Sequence, residues 1–251
     1  MIRRPGLERV AVALDTPEWE RFVELCELFG PRVGVLKVGL EAYTRWGPAA
    51  VAEARRHDAD VFLDLKLHDI PSTVAGAVSA ACDQGVDYLT LHAAGGSAML
   101  EAAAAAARER VKLLAVTLLT HLDEDALAVL DLPGAGATRA ARWATLAWQA
   151  GCHGAVCSPH EVAALRAAIA PPFLLVTPGI RLGGAVVDDD QARVGDPRTT
   201  LASGSDLLVV GRPLTQAEDR RAALVLWAAE ISGSSPPESG SALNRGGRSR
   251  R

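Results

Sequence analysis

The chain has 251 residues, of which 49% are hydrophobic and 22% charged, with a formal net charge of −4. This length suits one large domain or two small ones, and the composition is typical of a folded globular protein rather than a disordered one. The negative net charge excludes a broad basic surface for nucleic acid, so any anion must be bound by a local site. No segment reaches the roughly 18 uninterrupted apolar residues of a membrane helix, so we expect no membrane partner.

The two ends of the chain differ in character. The opening MIRRPGLERVAVALD has an Arg-Arg pair, but its apolar run is short and meets Asp15, which predicts a first strand rather than a signal peptide. From about Gly233 the chain is rich in Ser, Gly, Pro and Arg and has too few apolar residues to bury a core. We therefore predict one domain over residues 1–232 and a disordered tail over 233–251.

Four cysteines are scattered along the chain without C-x-x-C spacing, at Cys26, Cys82, Cys152 and Cys157. This usage is not that of a disulfide scaffold or a zinc site. We expect the four thiols to be reduced and mostly buried, and we predict that the protein is cytoplasmic.

Eight apolar, strand-like runs alternate with alanine-rich stretches of helical character. They lie at residues 10–15, 33–39, 60–66, 88–93, 112–119, 154–158, 173–179 and 206–211. Near-continuous apolar strands separated by helices indicate a parallel sheet with its outer face covered, and eight units in about 230 residues predict a single closed (β/α)8 barrel of the TIM type. A doubly wound open sheet is the alternative.

Capping residues and prolines mark where the helices should begin. The predicted helix starts are Thr16-Pro17, Ser97, Asp123, Thr138 and Ser158-Pro159. The alanine run at 102–107 predicts a helix packed closely on the barrel, since alanine has the highest helix propensity.

The most informative segment is FLDLKLHDIPSTV, residues 62–74, which brings three charged residues to the end of the third strand. Side chains alternate along a strand, so Asp64 and Lys66 should point to one face, with Asp69 following in the turn. Buried charges are costly unless they are paired or used, and a lysine between carboxylates suits proton transfer. A structural ion pair at a strand end is the alternative interpretation.

Other ionisable residues stand at the ends of neighbouring strands. Asp15 closes the first predicted strand, Lys37 lies near the end of the second and His92 ends the fourth. Because parallel barrels carry their active sites at the carboxyl ends of the strands, we expect these groups and the charges of the third strand to share one mouth. Two lysines and three carboxylates there would form an alternating network.

A phosphate site is predicted after the seventh and eighth strands. The eighth strand ends in VVGRPLTQA, where the Gly211 backbone can approach an anion, Arg212 supplies a fork of donors, and the helix near Pro213 adds its positive end. The seventh strand ends in TPGIR, so Arg181 enters a long loop to residue 197 that also carries Gln191. Long loops in compact domains are usually functional or disordered.

These segments together resemble the bacterial orotidine 5′-monophosphate decarboxylases over nearly the whole chain to about residue 230. The matching motifs are ALD at 13–15, LKVG at 36–39, DLKLHDIPSTV at 64–74, VTLLT at 116–120, VCSP at 156–159, VTPGIR at 176–181 and VVGRPLT at 209–215. The resemblance implies removal of the substrate carboxylate to give uridine 5′-monophosphate, with no organic or metal cofactor.

The resemblance also implies roles for the charged residues. Lys66 resembles the proton donor, Asp64 the carboxylate beside the departing CO2, and Lys37 the lysine that completes the network with Asp69. In the family the second aspartate of D-x-K-x-x-D enters the neighbouring subunit's site, which implies a homodimer. The resemblance also implies a set of substrate-binding residues. They are Asp15 at the ribose, Thr120 at the base, Ile70 and Thr73 from the neighbouring subunit, and Lys37 and Pro178. Four more would bind the phosphate: Arg181, Gln191, Gly211 and Arg212.

Two positions depart from the common family pattern, and two other functions remain open. Ser72 stands where many relatives have Asn, and His121 where Ser is common, which leaves base recognition undefined. One alternative is a sugar-phosphate decarboxylase or aldolase barrel that uses magnesium and an enediolate; such relatives typically carry an acidic residue at the position of Lys37. The other is a non-catalytic nucleotide-binding barrel, which would be expected to lose part of the charged network.

Overall fold

The computed structural model describes residues 5–132, 136–183 and 194–234, and within them the chain forms a closed parallel barrel. The strand order is sequential from the first to the eighth, and the eighth pairs with the first. The strands are β1 Val10–Ala13, β2 Val35–Val38, β3 Asp60–Leu67, β4 Tyr88–His92, β5 Lys112–Val116, β6 Gly154–Val156, β7 Leu174–Thr177 and β8 Leu207–Val210. The predicted (β/α)8 barrel is therefore confirmed, and the open sheet is excluded.

Helices surround the barrel because the strands are apolar on both faces and their outer faces must be covered. The helices within the described residues are α1 Trp19–Phe29, α2 Leu40–Trp46, α3 Pro48–Ala54, α4 Pro71–Gln84, α5 Gly96–Ala107, α6 Glu124–Val129, α7 Gly136–Gln149, α8 Val162–Ala168, α9 Pro197–Ala202, α10 Arg212–Thr215 and α11 Arg220–Ser232, with short 3-10 turns at Leu7–Arg9 and Ala93–Gly95. The alanine run lies in α5, whose buried Ala103 and Ala107 pack in the main core.

The predicted helix starts are confirmed in part. Asp123 caps α6, since its carboxylate accepts a hydrogen bond from the backbone N–H of Ala126 at 2.8 Å. The starts at Thr16-Pro17 and Ser158-Pro159 are wrong. Thr16 instead accepts from the Glu18 N–H, and the Ser158 N–H donates to the Glu161 carboxylate at 2.8 Å, so both segments form turns before α1 and α8.

The barrel interior has two layers with different chemistry. The lower layer is apolar and consists of Ala11, Val35, Phe62, Leu114, Val176 and Leu207. Side chains of a strand alternate, so residues two positions further along point to the same side. The residues two positions beyond the apolar layer form an upper layer, in which Ala13, Lys37, Asp64 and Val116 line a cavity at the carboxyl ends of the strands. The apolar layer thus forms the base of a polar mouth.

The segment after β7 is tied together at its two ends. Ile180 forms a parallel bridge with Gly195, in which the Arg181 N–H donates to the Gly195 carbonyl at 2.9 Å. The prediction of a functional loop over 181–197 falls largely on residues 184–193, which lie outside the described residues. Residues 235–251 of the predicted tail also lie outside the described residues. The last described helix, α11, ends at Ser232, and the domain boundary at 232 stays a prediction.

Among the described residues, no helix combines the length and the apolar character needed to cross a membrane.

Candidate active site

The site is built around one buried carboxylate, that of Asp64 on β3. Both of its oxygens lie 2.9 Å from the Lys66 Nζ, and its Oδ2 lies 3.4 Å from the Lys37 Nζ on β2. The Lys37 Nζ in turn lies 3.7 Å from the Oδ2 of Asp15 at the end of β1. Three neighbouring strands therefore deliver an alternating chain of charges, Asp15, Lys37, Asp64 and Lys66, which are four of the five members of the predicted network.

The charges keep each other ionised. Burial by itself would raise the pKa of the Asp64 carboxyl, but Lys37 and Lys66, together with hydrogen bonds from Lys66 and Thr90, outweigh burial and lower the pKa from 3.8 to about 2. Burial likewise opposes the charge on Lys37, yet attraction to Asp64 and Asp15 outweighs it and raises the Lys37 pKa above its ordinary value. The site therefore holds an ammonium and a carboxylate side by side at neutral pH.

The backbone of β3 is irregular where it carries these groups. Leu63 pairs with Leu89 and Leu67 pairs with Leu91, so four residues of β3 advance against two of β4. Lys66 lies within this bulge with φ at 51°, a left-handed conformation that costs about 1–3 kcal/mol for a residue other than glycine. Simple alternation predicted the shared face of Asp64 and Lys66 but not the bulge.

Space beside Asp15 and Lys37 depends on a glycine. A Cβ added to Gly39 would lie 2.4 Å from the Oδ1 of Asp15 and 3.1 Å from the Lys37 Nζ. Any side chain at this position would push the carboxylate or the ammonium out of place. The motif LKVG therefore contributes its glycine as well as its lysine, a role that the sequence analysis did not assign.

The charged chain lines one wall of a cavity of about 520 Å³. A volume of this size suits a small-molecule ligand. Several residues named from the sequence meet here, and apolar side chains such as Leu118 and Val156 share the lining. The predicted site residues that line the cavity are Asp15, Lys37, Asp64, Lys66, Thr120, Pro178, Arg181, Gly211 and Arg212.

The predicted phosphate side of the cavity is formed by the ends of β7 and β8. Arg181 is buried, with its guanidinium donating to the Ile180 carbonyl at 2.9 Å, whereas Arg212 is exposed at the start of α10. The helix expected near Pro213 is confirmed, but α10 has four residues and thus a small dipole. Backbone N–H groups and arginines are therefore the main donors for an anion here, and Gln191 lies outside the described residues.

Asp69 does not join the charges of its own chain. Its side chain is exposed, and its Oδ1 accepts a hydrogen bond from the Ile70 N–H at 2.6 Å. Ile70 is 64% exposed and Thr73 is also exposed, and none of the three lines the cavity. The expectation that Asp64, Lys66 and Asp69 converge therefore holds within one chain for the first two and not for Asp69.

Two further residues of β4, Thr90 and His92, interact with Lys66. Thr90 is fully buried and bonds to both Asp64 and Lys66, a contact that sequence reasoning missed. The available signal was a polar residue at every second position of YLTLH, which marks the interior face of a barrel strand. The His92 ring lies beside the His68 ring, with centroids 5.4 Å apart and a tilt of 35°. Burial, His68 and Lys66 lower the His92 pKa, which favours the neutral ring.

The part of the chain that the structure describes contains no group of three or more His, Cys, Asp or Glu side chains that could hold a metal ion.

The fold and the alternating charges at the strand ends define a (β/α)8 barrel with an enzyme-like site at its carboxyl face. The chain belongs to the family described as Orotidine 5'-phosphate decarboxylase / HUMPS, whose model matches residues 8–225.

Similar proteins carry the name Orotidine 5'-phosphate decarboxylase. This chain is 50% identical over 216 residues to the protein of that name from Anaeromyxobacter sp. (strain K), and the match covers 86% of this chain and 95% of the relative. A protein of the same name from Thermobifida fusca (strain YX) is 48% identical over 230 residues, covering 90% and 98%. The crystal structure of Orotidine 5'-phosphate decarboxylase from Lactobacillus acidophilus superposes with a TM-score of 0.77 at 33% identity, covering 91% and 99%.

The lowered pKa of Asp64 leads to a prediction about pH and stability. A group whose pKa falls on folding stabilises the folded state above its unfolded pKa, and this contribution is lost as pH falls through the folded value. A shift from 3.8 to about 2 corresponds to roughly 2 kcal/mol at neutral pH, of which roughly half is lost by pH 3. The difference in unfolding free energy between wild type and Asp64→Asn should therefore shrink by about 1 kcal/mol between pH 6 and pH 3.

Urea unfolding at the two pH values measures this difference. Asp83→Asn is the matched control, because its side chain is 74% exposed in a surface pair with Arg110. An exposed ion pair contributes little to stability, so the control difference should change by less than about 0.5 kcal/mol between the two pH values. An Asp64→Asn difference that stays constant, or grows as the pH falls, would contradict the lowered pKa.

Proposed function

We propose that the protein decarboxylates orotidine 5′-phosphate to uridine 5′-phosphate, the last step of pyrimidine nucleotide synthesis, with Lys66 as the proton donor. The observation that carries this proposal is the geometry of the Lys66 ammonium, which lies 2.9 Å from both oxygens of Asp64 in the wall of the cavity. Membership of the decarboxylase family and the names of its relatives support the same activity.

The reaction needs a proton donor beside a carbon that gains negative charge. The bond from C6 of the pyrimidine to its carboxylate breaks, CO2 leaves, and the electron pair stays on C6. The Lys66 ammonium stabilises that charge and then transfers its proton to C6 to form the C–H bond, after which the neutral amine regains a proton from water. Fixed charges in a site with little water are usually the largest contribution to catalysis.

Asp64 and Lys37 prepare the donor for this step. Asp64 holds the Lys66 ammonium in place with two hydrogen bonds, and its own negative charge lies where the substrate carboxylate would approach. Repulsion between the two carboxylates would be relieved as CO2 leaves. Lys37 holds Asp64 from the other side at 3.4 Å, which keeps that carboxylate ionised.

The rest of the cavity is suited to a nucleotide. Arg212, Arg181 and the Gly211 backbone stand where barrels commonly bind a phosphate, after strands seven and eight. Asp15, which is half-exposed and paired with Lys37, is placed to accept hydrogen bonds from ribose hydroxyls. Binding of the remote phosphate can contribute to the chemical step by fixing the substrate and excluding water.

Lys37 also bears on the magnesium-dependent alternative. Its ammonium is buried between Asp15 and Asp64, at 3.7 and 3.4 Å. A divalent cation bound by the same carboxylates would be repelled by this charge at close range. A non-catalytic nucleotide-binding barrel has no specific observation in its favour, because the charged chain from Asp15 to Lys66 is intact.

We further propose that the protein acts as a homodimer in which Asp69, Ile70 and Thr73 complete the partner's site. All three side chains are exposed beside the mouth of the barrel, and none of them lines the cavity of its own chain. Contact with a second chain would remove the apolar surface of Ile70, which is 64% exposed, from water. We also propose a cytoplasmic location. All four cysteines are buried and free, which suits a reducing compartment.

The proposed activity and donor can be tested together. Purified protein with EDTA should consume orotidine 5′-phosphate, followed by loss of the substrate's absorbance, whereas a magnesium-dependent enzyme would stop. Lys66→Ala should lower kcat by more than about 10⁴-fold, because it removes both a general acid and a stabilising charge. Lys112→Ala, at the opposite end of the barrel over the Tyr88 ring, is the control and should keep wild-type kcat. A Lys66→Ala enzyme with more than about a tenth of wild-type turnover would contradict the assignment.

Sharing of Asp69 between subunits predicts complementation. Lys66→Ala and Asp69→Ala should each be inactive, yet random mixing of the two should restore about a quarter of the sites, since half of the dimers are mixed and each has one intact site. Mixing Lys66→Ala with Asp64→Asn is the control, because both residues belong to the same chain's site and no intact site can form. Absence of recovery in mixed dimers shown to form would exclude sharing.

Arg212→Ala should affect phosphorylated substrate selectively. Hydrogen bonds between a guanidinium and phosphate oxygens contribute roughly 1.5–3 kcal/mol each, and a nucleoside without the phosphate cannot make them. We expect kcat/KM for the nucleotide to fall at least about tenfold more than kcat/KM for the nucleoside. Arg110→Ala, in a surface pair with Asp83, should change neither value. Equal losses for both substrates in Arg212→Ala would place the phosphate site elsewhere.

A further inference from the structure

The junction of β3 and β4 contains a contact that the proposed mechanism has not used. Between the pairs Leu63–Leu89 and Leu67–Leu91, three residues of β3 stand opposite Thr90 alone. These three residues include Asp64 and Lys66. A regular ladder would satisfy each backbone N–H with a carbonyl of a neighbouring strand, so the bulge needs other partners.

The Thr90 hydroxyl provides those partners from a fully buried position. Its Oγ1 accepts a hydrogen bond from the Lys66 backbone N–H at 2.9 Å and donates to the Oδ1 of Asp64 at 2.8 Å. One hydroxyl therefore satisfies the main chain of Lys66 and the side chain of Asp64 at the same time. Both bonds act on the left-handed Lys66 conformation, since one fixes its backbone and the other fixes the carboxylate that holds its ammonium.

We propose that Thr90 is a positioning residue that sets the place of the Lys66 ammonium through its two hydrogen bonds. This inference rests on the proposed function, in which that ammonium donates the proton. A backbone with φ at 51° is held only when its surroundings determine it, and Thr90 is the residue opposite the bulge. A small displacement of a reacting group can cost about 10²-fold in rate, so the effect should appear in kcat.

Other buried threonines of the barrel provide a comparison. Thr117 is also buried and its hydroxyl donates to the Val156 carbonyl at 2.9 Å, a contact with the neighbouring strand and not with the charged chain. Loss of either hydroxyl removes buried hydrogen bonds, two at Thr90 and one at Thr117, so both variants should lose stability and the larger loss is expected at Thr90. Loss at Thr90 alone should affect the proton donor.

The test compares Thr90→Val, Thr90→Ser, Thr90→Cys and Thr117→Val. Valine keeps the branched shape and removes the hydrogen bonds, serine keeps the hydroxyl, and cysteine offers a weak donor and acceptor. Three quantities are measured for each variant: kcat and KM with orotidine 5′-phosphate, the Kd of uridine 5′-phosphate by calorimetry, and the crystal structure. The Kd reports the intact binding site without requiring catalysis.

We expect Thr90→Val to lower kcat by about 10- to 100-fold, with KM and Kd changed less than about threefold. Thr90→Ser should recover most of the kcat, and Thr117→Val should keep it. In the Thr90→Val crystal structure the Lys66 Nζ should move by more than about 0.5 Å relative to Asp64. If valine prevents folding, the comparison rests on cysteine, whose kcat should be at least about fivefold below that of serine.

Several results would overturn the inference. They are wild-type kcat in Thr90→Val, equal losses in Thr90→Val and Thr117→Val, equal kcat for the serine and cysteine variants, or an unmoved Lys66 in the crystal structure. An inactive wild type that binds uridine 5′-phosphate would instead overturn the proposed function. In that case the displacement of Lys66 in the Thr90→Val structure still decides the role of Thr90.

Discussion

One buried carboxylate, that of Asp64, makes the rest of the site possible. Lys37 is buried and would be costly as a lone cation, and the Lys66 ammonium would lack a fixed position without the two oxygens at 2.9 Å. Removing one partner from a buried charge pair commonly costs 3–5 kcal/mol because the remaining charge is uncompensated. The ionised state of Asp64, with its pKa at about 2, is therefore the condition on which the positions of both lysines depend.

The barrel accommodates this cluster through two local features, a glycine that leaves space and a backbone irregularity. Gly39 leaves the space that the Asp15 carboxylate and the Lys37 ammonium occupy, since a Cβ there would lie 2.4 Å from the nearer Asp15 oxygen. Lys66 takes a left-handed backbone conformation inside a bulge opposite Thr90. Both features lie at the carboxyl ends of the strands, and the Lys66 conformation is one of the sparsely populated ones that cluster at functional sites. Below them the apolar layer that includes Phe62 and Leu114 keeps the regular pairing.

The eight strands and their parallel order were predictable because each is a continuous apolar run, and the shared face of Asp64 and Lys66 followed from alternation. The polar alternation of YLTLH could have placed Thr90 on the interior face, but its hydrogen-bond partners could not be predicted because they arise from a register shift. Two helix starts were placed too early since Thr16 and Ser158 make turn contacts rather than caps. Local pattern alone placed Asp69 with Asp64 and Lys66, whereas the family resemblance implied a place in the neighbouring subunit's site. Its side chain is exposed within its own chain, and the sharing between subunits stays a prediction.

The placement of the charges also explains why a stable barrel can carry buried charged side chains, whose burial costs free energy. Replacing buried ion pairs by packed apolar side chains is often neutral or stabilising, so the charged chain is weak support for the fold. The stabilising burial lies elsewhere, in the layer beneath the cavity and between strands and helices, where Phe22, Phe29 and Trp227 are almost fully buried. Because these regions do not depend on the lysines, the mouth can hold cations and a carboxylate in the arrangement that the proposed proton transfer to a carbanion requires.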